Sequence, residues 1–172
     1  MLGGIRSGKS EFAEALVASG APVRFVATAR RSADDAAWTA RIDRHRARRP
    51  AGWSTTEVGD DPSALLDLLV GAAGDETLLV DDIGTWVAAQ LPDVTQVTSV
   101  DFTGTALADA VRACPARLVL VSPEVGLSVV PATAAGVTFA DALGATNRAV
   151  AAECDAVVLV IAGNAVPVKG AL

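Results

Sequence analysis

A short glycine-rich motif close to the first residue restricts the fold of this chain more than any other feature. Residues 3–10 read GGIRSGKS, which is the pattern G-x-x-x-x-G-K-S. In this pattern the glycines let backbone N–H groups turn toward phosphate oxygens, the lysine reaches the β- and γ-phosphates, and the last hydroxyl can bind Mg²⁺. The sequence therefore predicts a triphosphate-binding loop formed by Gly3, Gly4, Ile5, Arg6, Ser7, Gly8, Lys9 and Ser10.

A phosphate loop of this kind joins a buried strand to a helix. The helix is expected over residues 10–19, where apolar residues recur at helical spacing and a Gly-Ala-Pro sequence then ends the pattern. Only Met1 and Leu2 precede the loop. We expect either that the natural chain starts upstream and its first strand is truncated, which we favour, or that these two residues form a short stub of the central strand.

Length and composition narrow the class of protein. A chain of 172 residues suits a single domain, residues 1–172, with room for a substantial core. No stretch approaches 18 consecutive apolar residues and no signal-peptide pattern is found, so we predict a cytoplasmic protein without a membrane span. The net charge of −6 argues against a nucleic-acid partner. The mean hydropathy of +0.41 favours a homo-oligomer.

Strand and helix patterns alternate along the sequence. Apolar runs without alternation predict buried strands at 23–27, 78–81, 118–122 and 156–162. Helical spacing predicts helices at 35–47, 63–72, 104–114 and 139–154, and residues 92–103 are expected to form a loop. The fold class that follows is α/β: one phosphate-loop NTPase-like domain with a mostly parallel central sheet flanked by helices.

An acidic pair ends the second of these predicted strands. Asp81 and Asp82 follow the apolar residues Leu78, Leu79 and Val80. In phosphate-loop proteins a carboxylate at this place holds Mg²⁺ opposite the hydroxyl of the loop. We predict Asp81 and Ser10 as the metal ligands, with Lys9 as the catalytic cation in a phosphoryl or nucleotidyl transfer. A strand-ending turn is the alternative interpretation of the acidic pair.

The only histidine of the chain lies in a basic segment. His45 is surrounded by Arg41, Arg44, Arg46, Arg48 and Arg49. A neutral imidazole can attack phosphorus, and nearby guanidinium groups can hold phosphates and keep the imidazole neutral at pH 7. On spacing alone, a solvated basic surface is the more common interpretation of such a run.

Six motifs in order resemble one family over nearly the whole chain. They are GGIRSGKS, FVATA at 25–29, RI-x-x-H-x-x-x-RP-x-x-W at 41–53, LLVDD at 78–82, EVG-x-x-VVP at 124–131 and LG-x-x-N-R at 143–148. Together they look like the bifunctional adenosylcobinamide kinase / adenosylcobinamide-phosphate guanylyltransferase of cobalamin synthesis. The phosphate loop alone is widespread, whereas the histidine motif at this distance from it is far more specific. The sequence departs from the family pattern at Ala37 and at Pro123.

The resemblance implies a pair of reactions and a set of site residues. Adenosylcobinamide would be phosphorylated by ATP or GTP, and GMP would then pass from GTP to adenosylcobinamide phosphate through a guanylylated histidine. His45 matches that histidine, and Asp81 and Glu57 match acidic positions near the nucleotide. The residues that match contacts to GMP are Arg46, Ala47, Arg48 and Arg49.

Two other functions remain open from the sequence. One is a phosphate-loop small-molecule kinase in which His45 is incidental, and the other is a degenerate GTP-binding subunit without turnover. Among the remaining residues, Cys114 and Cys154 are expected to be reduced thiols in or near the core. Asn147 and Arg148 are expected to face solvent or a neighbouring subunit, and tryptophans such as Trp86 to lie in the core or at its rim.

Overall fold

A computed structural model describes residues 1–18, 22–28, 49–59, 61–91 and 104–171. The strands in these ranges are β1 Leu2–Gly3, β2 Val23–Ala27, β3 Ser54–Glu57, β4 Thr77–Asp81, β5 Arg117–Pro123, β6 Val157–Ile161 and β7 Asn164–Lys169. The helices are α1 Lys9–Val17, α2 Pro62–Val70, α3 Ile83–Gln90, α4 Thr105–Ala113 and α5 Ala134–Glu153. Among these described residues, no helix has the length and apolar character to cross a bilayer.

The strands form one sheet in the order β3-β2-β4-β5-β1-β6-β7. The pairs from β3 through β6 are parallel, and only β7 runs antiparallel, beside β6. The predicted α/β class with a mostly parallel sheet is confirmed. Because the parallel strands all end on one side, their last residues meet along a common border, which we call the carboxyl edge. Ligand sites of open parallel sheets lie in the crevice outside this edge.

Helices cover both faces of the sheet and give it two apolar cores. On one face, Ala13 and Val17 of α1 pack with Phe25, Leu79 and Val121. On the other face, α2 to α5 pack on the sheet around fully buried side chains that include Leu65, Leu69, Leu78, Leu107 and Leu143. Burial of the strands on both faces explains their unbroken apolar runs.

Short β1 occupies a central position between β5 and β6. Leu2 lies opposite Ser122 of β5 and Leu159 of β6. The Met1 carbonyl accepts a hydrogen bond of 2.9 Å from the Ser122 N–H, and the Gly3 carbonyl accepts one of 3.0 Å from the Glu124 N–H. Leu2–Gly3 therefore leads into the phosphate loop as a central strand. The expectation of further residues upstream stays a prediction.

Most predicted elements are present, with differences at polar or short segments. The bounds of β2 agree with the prediction, whereas α5 starts five residues before the predicted 139, at Ala134. Its N-terminus is capped by the Thr133 side chain, which accepts a hydrogen bond from the Gly136 N–H. Sequence analysis missed β3, α3 and β7. The predicted helix at 35–47 and the predicted loop at 92–103 lie outside the described residues.

Candidate active site

The phosphate loop leaves β1 at the carboxyl edge and ends at the first turn of α1. Gly8 caps the helix with φ of 91°, and Arg6 has φ of 59°, so the loop passes twice through the left-handed region. The Ser7 N–H donates to the Gly4 carbonyl across 3.3 Å, and the Phe12 N–H to the Gly8 carbonyl across 2.9 Å. This curled backbone ahead of a helix N-terminus is the arrangement that binds phosphate.

Close packing explains why two loop positions are glycine. A Cβ atom on Gly3 would lie 2.8 Å from the Val160 carbonyl oxygen, and one on Gly8 would lie 3.2 Å from Cα of Gly163. Gly163 belongs to the turn between β6 and β7, and its N–H donates to the Ser7 carbonyl across 2.8 Å. The loop is therefore held in place by β6 and by the turn that follows it.

Polar groups of the loop are positioned for an anion. The Lys9 side chain is buried, and its Nζ lies 3.5 Å from the Gly4 carbonyl oxygen, a long contact for an ammonium group. The buried Ser7 Oγ has no hydrogen-bond partner in the described part of the chain. A buried ammonium group and an unsatisfied hydroxyl would both gain a partner from a phosphate oxygen. The loop therefore fits a nucleotide phosphate.

Asp81 lies across from the loop at the end of β4. Its Oδ1 atom accepts a hydrogen bond of 3.4 Å from the Ser10 hydroxyl. Burial, together with repulsion from Asp82, raises the pKa of Asp81 to about 6, against the opposing effects of Ser10 and the Lys9 charge. A divalent cation between Ser10 and Asp81 would relieve this destabilised carboxylate, so the pair fits Mg²⁺.

A metal ion held between Ser10 and Asp81 would have to be bound together with a nucleotide. Within the described ranges, no group of three His, Cys, Asp or Glu side chains forms a metal cage. Magnesium sites of nucleotide enzymes need no such cage, because one or two protein oxygens combine with phosphate oxygens and water. Ser10 and Asp81 are enough for that mode of binding.

A cluster of hydroxyl groups fixes the backbone beside Asp81. The buried Thr28 hydroxyl donates to the Asp82 carbonyl across 2.5 Å and contacts the Thr85 hydroxyl. The Asp82 side chain caps α3 by accepting from the Thr85 N–H across 2.8 Å. The end of β4 is thus tied to both β2 and α3. Sequence analysis missed Thr28 and Thr85, although Thr28 directly follows an apolar strand, which is a recognisable signal.

Asn147 of α5 is buried, so the prediction that it faces solvent or a neighbouring subunit is wrong for this residue. Its exposed fraction is 8%. The Asn147 Oδ1 accepts a hydrogen bond of 2.6 Å from the Ser122 hydroxyl, and its Nδ2 donates to the Pro123 carbonyl across 3.0 Å. Helical spacing gave a signal, since Asn147 lies four residues after buried Leu143 and three before buried Val150.

A sequence model of the cobinamide kinase / cobinamide phosphate guanyltransferase family matches residues 1–168. The chain belongs to this family. The bifunctional adenosylcobalamin biosynthesis protein CobP of Pseudomonas aeruginosa is 40% identical over 99% of this chain and 96% of its own length. The CobU proteins of the same description from Salmonella typhimurium and Escherichia coli are 36% and 34% identical, each over 97% of both chains.

Some of the predicted site residues lie at the carboxyl edge, and others lie outside the described residues. The phosphate loop, Asp81 and Glu57 lie at this edge, Glu57 as the last residue of β3. The Arg49 guanidinium lies 3.2 Å from the centroid of the Phe25 ring, in a cation–π contact on the α1 face of the sheet. His45, Arg46, Ala47 and Arg48 lie outside the described residues, together with Arg41 and Arg44.

The cysteines lie far from this chemistry. Cys114 and Cys154 are free and half-buried, as expected from the sequence. Both line a cavity of about 520 Å³ at the opposite edge of the sheet, beside Met1 and Leu120. Burial raises the pKa of both thiols, which keeps them protonated and unreactive at neutral pH. Trp86 is buried and donates from Nε1 to the Pro62 carbonyl across 3.2 Å, which is the predicted core role.

Proposed function

We propose that this chain phosphorylates adenosylcobinamide with ATP or GTP and then transfers GMP from GTP to adenosylcobinamide phosphate. The observation that supports the proposal most directly is the family match over residues 1–168. In addition, the phosphate loop faces the Asp81 carboxylate at the carboxyl edge. The relatives' names place those proteins in adenosylcobalamin biosynthesis. A chain of this family with an intact loop has the parts for both transfers.

In the first reaction the substrate alcohol attacks the γ-phosphorus. Backbone N–H groups of the loop and the Lys9 ammonium hold the β- and γ-phosphates in line and stabilise their charge in the transition state. Ser10 and Asp81 would hold Mg²⁺, and the bound ion would neutralise charge on the phosphate oxygens. The hydroxyl oxygen forms its bond to phosphorus as the bridge to the β-phosphate breaks and the nucleoside diphosphate leaves.

In the second reaction His45 acts as the nucleophile. Its neutral imidazole attacks the α-phosphorus of GTP, pyrophosphate leaves, and a phosphorus–nitrogen bond joins GMP to the histidine. The phosphate of the first product then attacks the same phosphorus and displaces the imidazole. The loop that binds the triphosphate would stabilise the leaving pyrophosphate, so one nucleotide site can serve both reactions.

Residues around His45 would bind the GMP group. Arg46, Ala47, Arg48 and Arg49 are proposed contacts of the nucleotide, with Glu57 near the guanine. The position of Glu57 at the end of β3 supports its part of the proposal, because the last residues of β3 and β4 share the carboxyl edge with the loop. Arginine is suited to this role because its guanidinium can bind phosphate through two parallel hydrogen bonds.

Two further properties are proposed with the function. We place the protein in the cytoplasm, where its proposed nucleotide substrates are found. We also propose a homo-oligomer, supported by the exposed apolar side chains Ile161, Val166 and Val168 along the β6–β7 hairpin. Among the described strands, antiparallel β7 is the outermost on this side, so its outer backbone groups could pair with another copy.

The experiment that tests the function is capture of the covalent intermediate. The protein is incubated with Mg²⁺ and GTP labelled at the α-phosphorus, then denatured and measured by intact mass, beside a His45→Ala variant. A GMP adduct that is stable to alkali, labile to acid and missing in the variant is expected. A folded, GTP-binding protein without the adduct would leave a plain kinase if adenosylcobinamide is still phosphorylated, or a non-catalytic GTP binder if it is not.

A further inference from the structure

The segment that follows β5 lies beside the phosphate loop. The Glu124 N–H donates to the Gly3 carbonyl across 3.0 Å, at the residue where β1 enters the loop. In the sheet β5 lies between β4, which ends at Asp81, and β1. The chain therefore leaves the sheet at Glu124, at a point between Asp81 and the phosphate loop. We call residues 124–130 the acceptor segment.

Side-chain hydrogen bonds, one of them fully buried, fix the start of the acceptor segment. Asn147 accepts from the Ser122 hydroxyl and donates to the Pro123 carbonyl, so it contacts the two residues that precede Glu124. The Glu124 Oε1 atom accepts from the Gly126 N–H across 2.8 Å, which limits the side chain to few rotamers. A carboxylate has about four acceptor sites, so this bond leaves it able to accept from a ligand.

Exposed apolar side chains follow the carboxylate directly. Leu127, Val129 and Val130 are exposed to 77%, 91% and 78%. The Ser128 hydroxyl bonds back to the Val125 carbonyl across 2.7 Å, which gives the segment a defined turn. Contiguous exposed apolar side chains beside a polar site are typical of a binding surface. Their continuity with the nucleotide site indicates a substrate rather than a separate partner.

We propose that the acceptor segment binds the alcohol substrate of the phosphoryl transfer, with Glu124 as the base for its hydroxyl and Leu127, Val129 and Val130 against its apolar body. This inference rests on the proposed function, because it needs an acceptor alcohol. It assigns Glu124 a catalytic role and makes Asn147 a positioning residue that acts through the backbone of residues 122–124.

The step is a proton transfer coupled to phosphoryl transfer. The acceptor oxygen forms a bond to the γ-phosphorus, the bond from that phosphorus to the β-γ bridging oxygen breaks, and the nucleoside diphosphate leaves with the electron pair. The hydroxyl proton passes to the Glu124 carboxylate, which returns it to water after product release. The guanylylation of His45 transfers no hydroxyl proton, so it has no need of Glu124.

The test separates the two reactions with a Glu124→Gln variant. Phosphorylation of adenosylcobinamide is expected to fall about 100-fold or more, in the range found for general bases. The GMP adduct is expected to form at the wild-type rate. A Glu124→Asp variant should restore part of the phosphorylation, and Asp141→Asn, an exposed change on α5, should have no effect on either reaction. Unchanged phosphorylation by Glu124→Gln, or equal loss of both reactions, would overturn the proposal.

The apolar half of the proposal is tested with Val129→Ser, matched by Val70→Ser at an exposed valine of α2. Val129→Ser is expected to raise KM for adenosylcobinamide about fivefold with KM for GTP unchanged, and Val70→Ser to change neither. A change of oligomeric state in Val129→Ser would instead assign the segment to a contact between copies and overturn this half. If the wild type forms no adduct and phosphorylates no acceptor, the proposed function itself fails, which is a different result from any of these.

Discussion

The hydroxyl of Ser122 lies 2.6 Å from Oδ1 of Asn147, inside the protein, where the end of β5 contacts α5. The other side of the same amide holds the Pro123 carbonyl. A buried side-chain amide is costly unless its groups are hydrogen-bonded, and here both of them are. This contact fixes the end of β5, where β5 pairs with β1. Because β1 leads into the phosphate loop, the contact also supports the loop.

Replacing Asn147 by Leu is expected to lower the free energy of unfolding by about 2 to 4 kcal/mol, because the buried Ser122 hydroxyl and the partly buried Pro123 carbonyl both lose this partner. Thr146→Val is the matched control, since the Thr146 hydroxyl is equally buried but bonds to the Ala142 carbonyl of its own helix. It should cost less than about 1 kcal/mol. Urea unfolding of both variants measures the difference, and equal costs would mean that the contact to β5 is unimportant.

Ser10→Ala is expected to weaken the Mg²⁺ dependence of GTP binding. Its hydroxyl lies 3.4 Å from the Asp81 carboxylate and would be lost as a ligand. The ratio of GTP affinities measured with Mg²⁺ and with EDTA should shrink about tenfold, which corresponds to roughly 1.4 kcal/mol. Ser63→Ala, at an exposed serine of α2, is the control and should leave the ratio unchanged. An unaltered ratio in Ser10→Ala would place the metal elsewhere.

In the absence of nucleotide and metal, Asp81→Asn is expected to raise the free energy of unfolding, but only above acidic pH. The folded pKa is about 6 and the ordinary value is 3.8. As pH rises between these values the unfolded chain loses its proton before the folded chain does, so the wild type loses stability over that window. Asparagine does not titrate. The variant should gain on the order of 2 kcal/mol at pH 7.5, after allowance for solvent screening, and little at pH 4.

Chemical denaturation at these two pH values measures the effect, with exposed Asp141→Asn as control. A gain that is equal at both pH values would mean that the pKa of Asp81 is not raised. The stabilisation is expected to come with a loss of activity, because the amide that replaces the carboxylate would offer Mg²⁺ no negative charge.

Gly8→Ala is expected to reduce GTP affinity at least tenfold. The residue has φ of 91°, and a Cβ atom would lie 3.2 Å from Cα of Gly163, so the loop would have to move. Gly144→Ala makes the same chemical change in α5, where no described atom beyond the adjoining helix backbone lies within 4 Å of the new Cβ. That control should bind GTP normally and unfold at a slightly higher temperature, because alanine favours helix. Equal GTP affinity in both variants would contradict the packing argument.

Sequence patterns predicted the elements whose side chains are buried on both faces of the sheet. An unbroken apolar run such as Val157–Ile161, bounded by turn residues, is typical of a buried strand. The G-x-x-x-x-G-K-S pattern predicts both a loop and the start of a helix. The strand Ser54–Glu57 was missed because its residues are polar and mostly exposed, so it carries no apolar pattern. It is ordered by backbone pairing with β2, which is a tertiary effect.

Some residues of the candidate site could be located from local sequence patterns, and others could not. The positions of residues within one motif, such as Lys9 and Ser10, were predictable, and so was the position of Asp81 at the end of an apolar strand. The role of Asn147 was not, since its partners Ser122 and Pro123 are 24 or more residues away and meet it only in the fold. The periodicity of a single sequence predicts which face of a helix or strand a residue occupies. It does not predict which polar atoms of other elements that residue will contact.

The hydrogen bond from Gly163 to Ser7 has a consequence for synthesis of the protein on the ribosome. The phosphate loop emerges early, but β1 needs β5 and β6 on its two sides, and the loop needs the turn that contains Gly163. Pairings over such a separation form late and slowly. Nascent chains that have not yet reached residue 163 should therefore be unable to retain GTP.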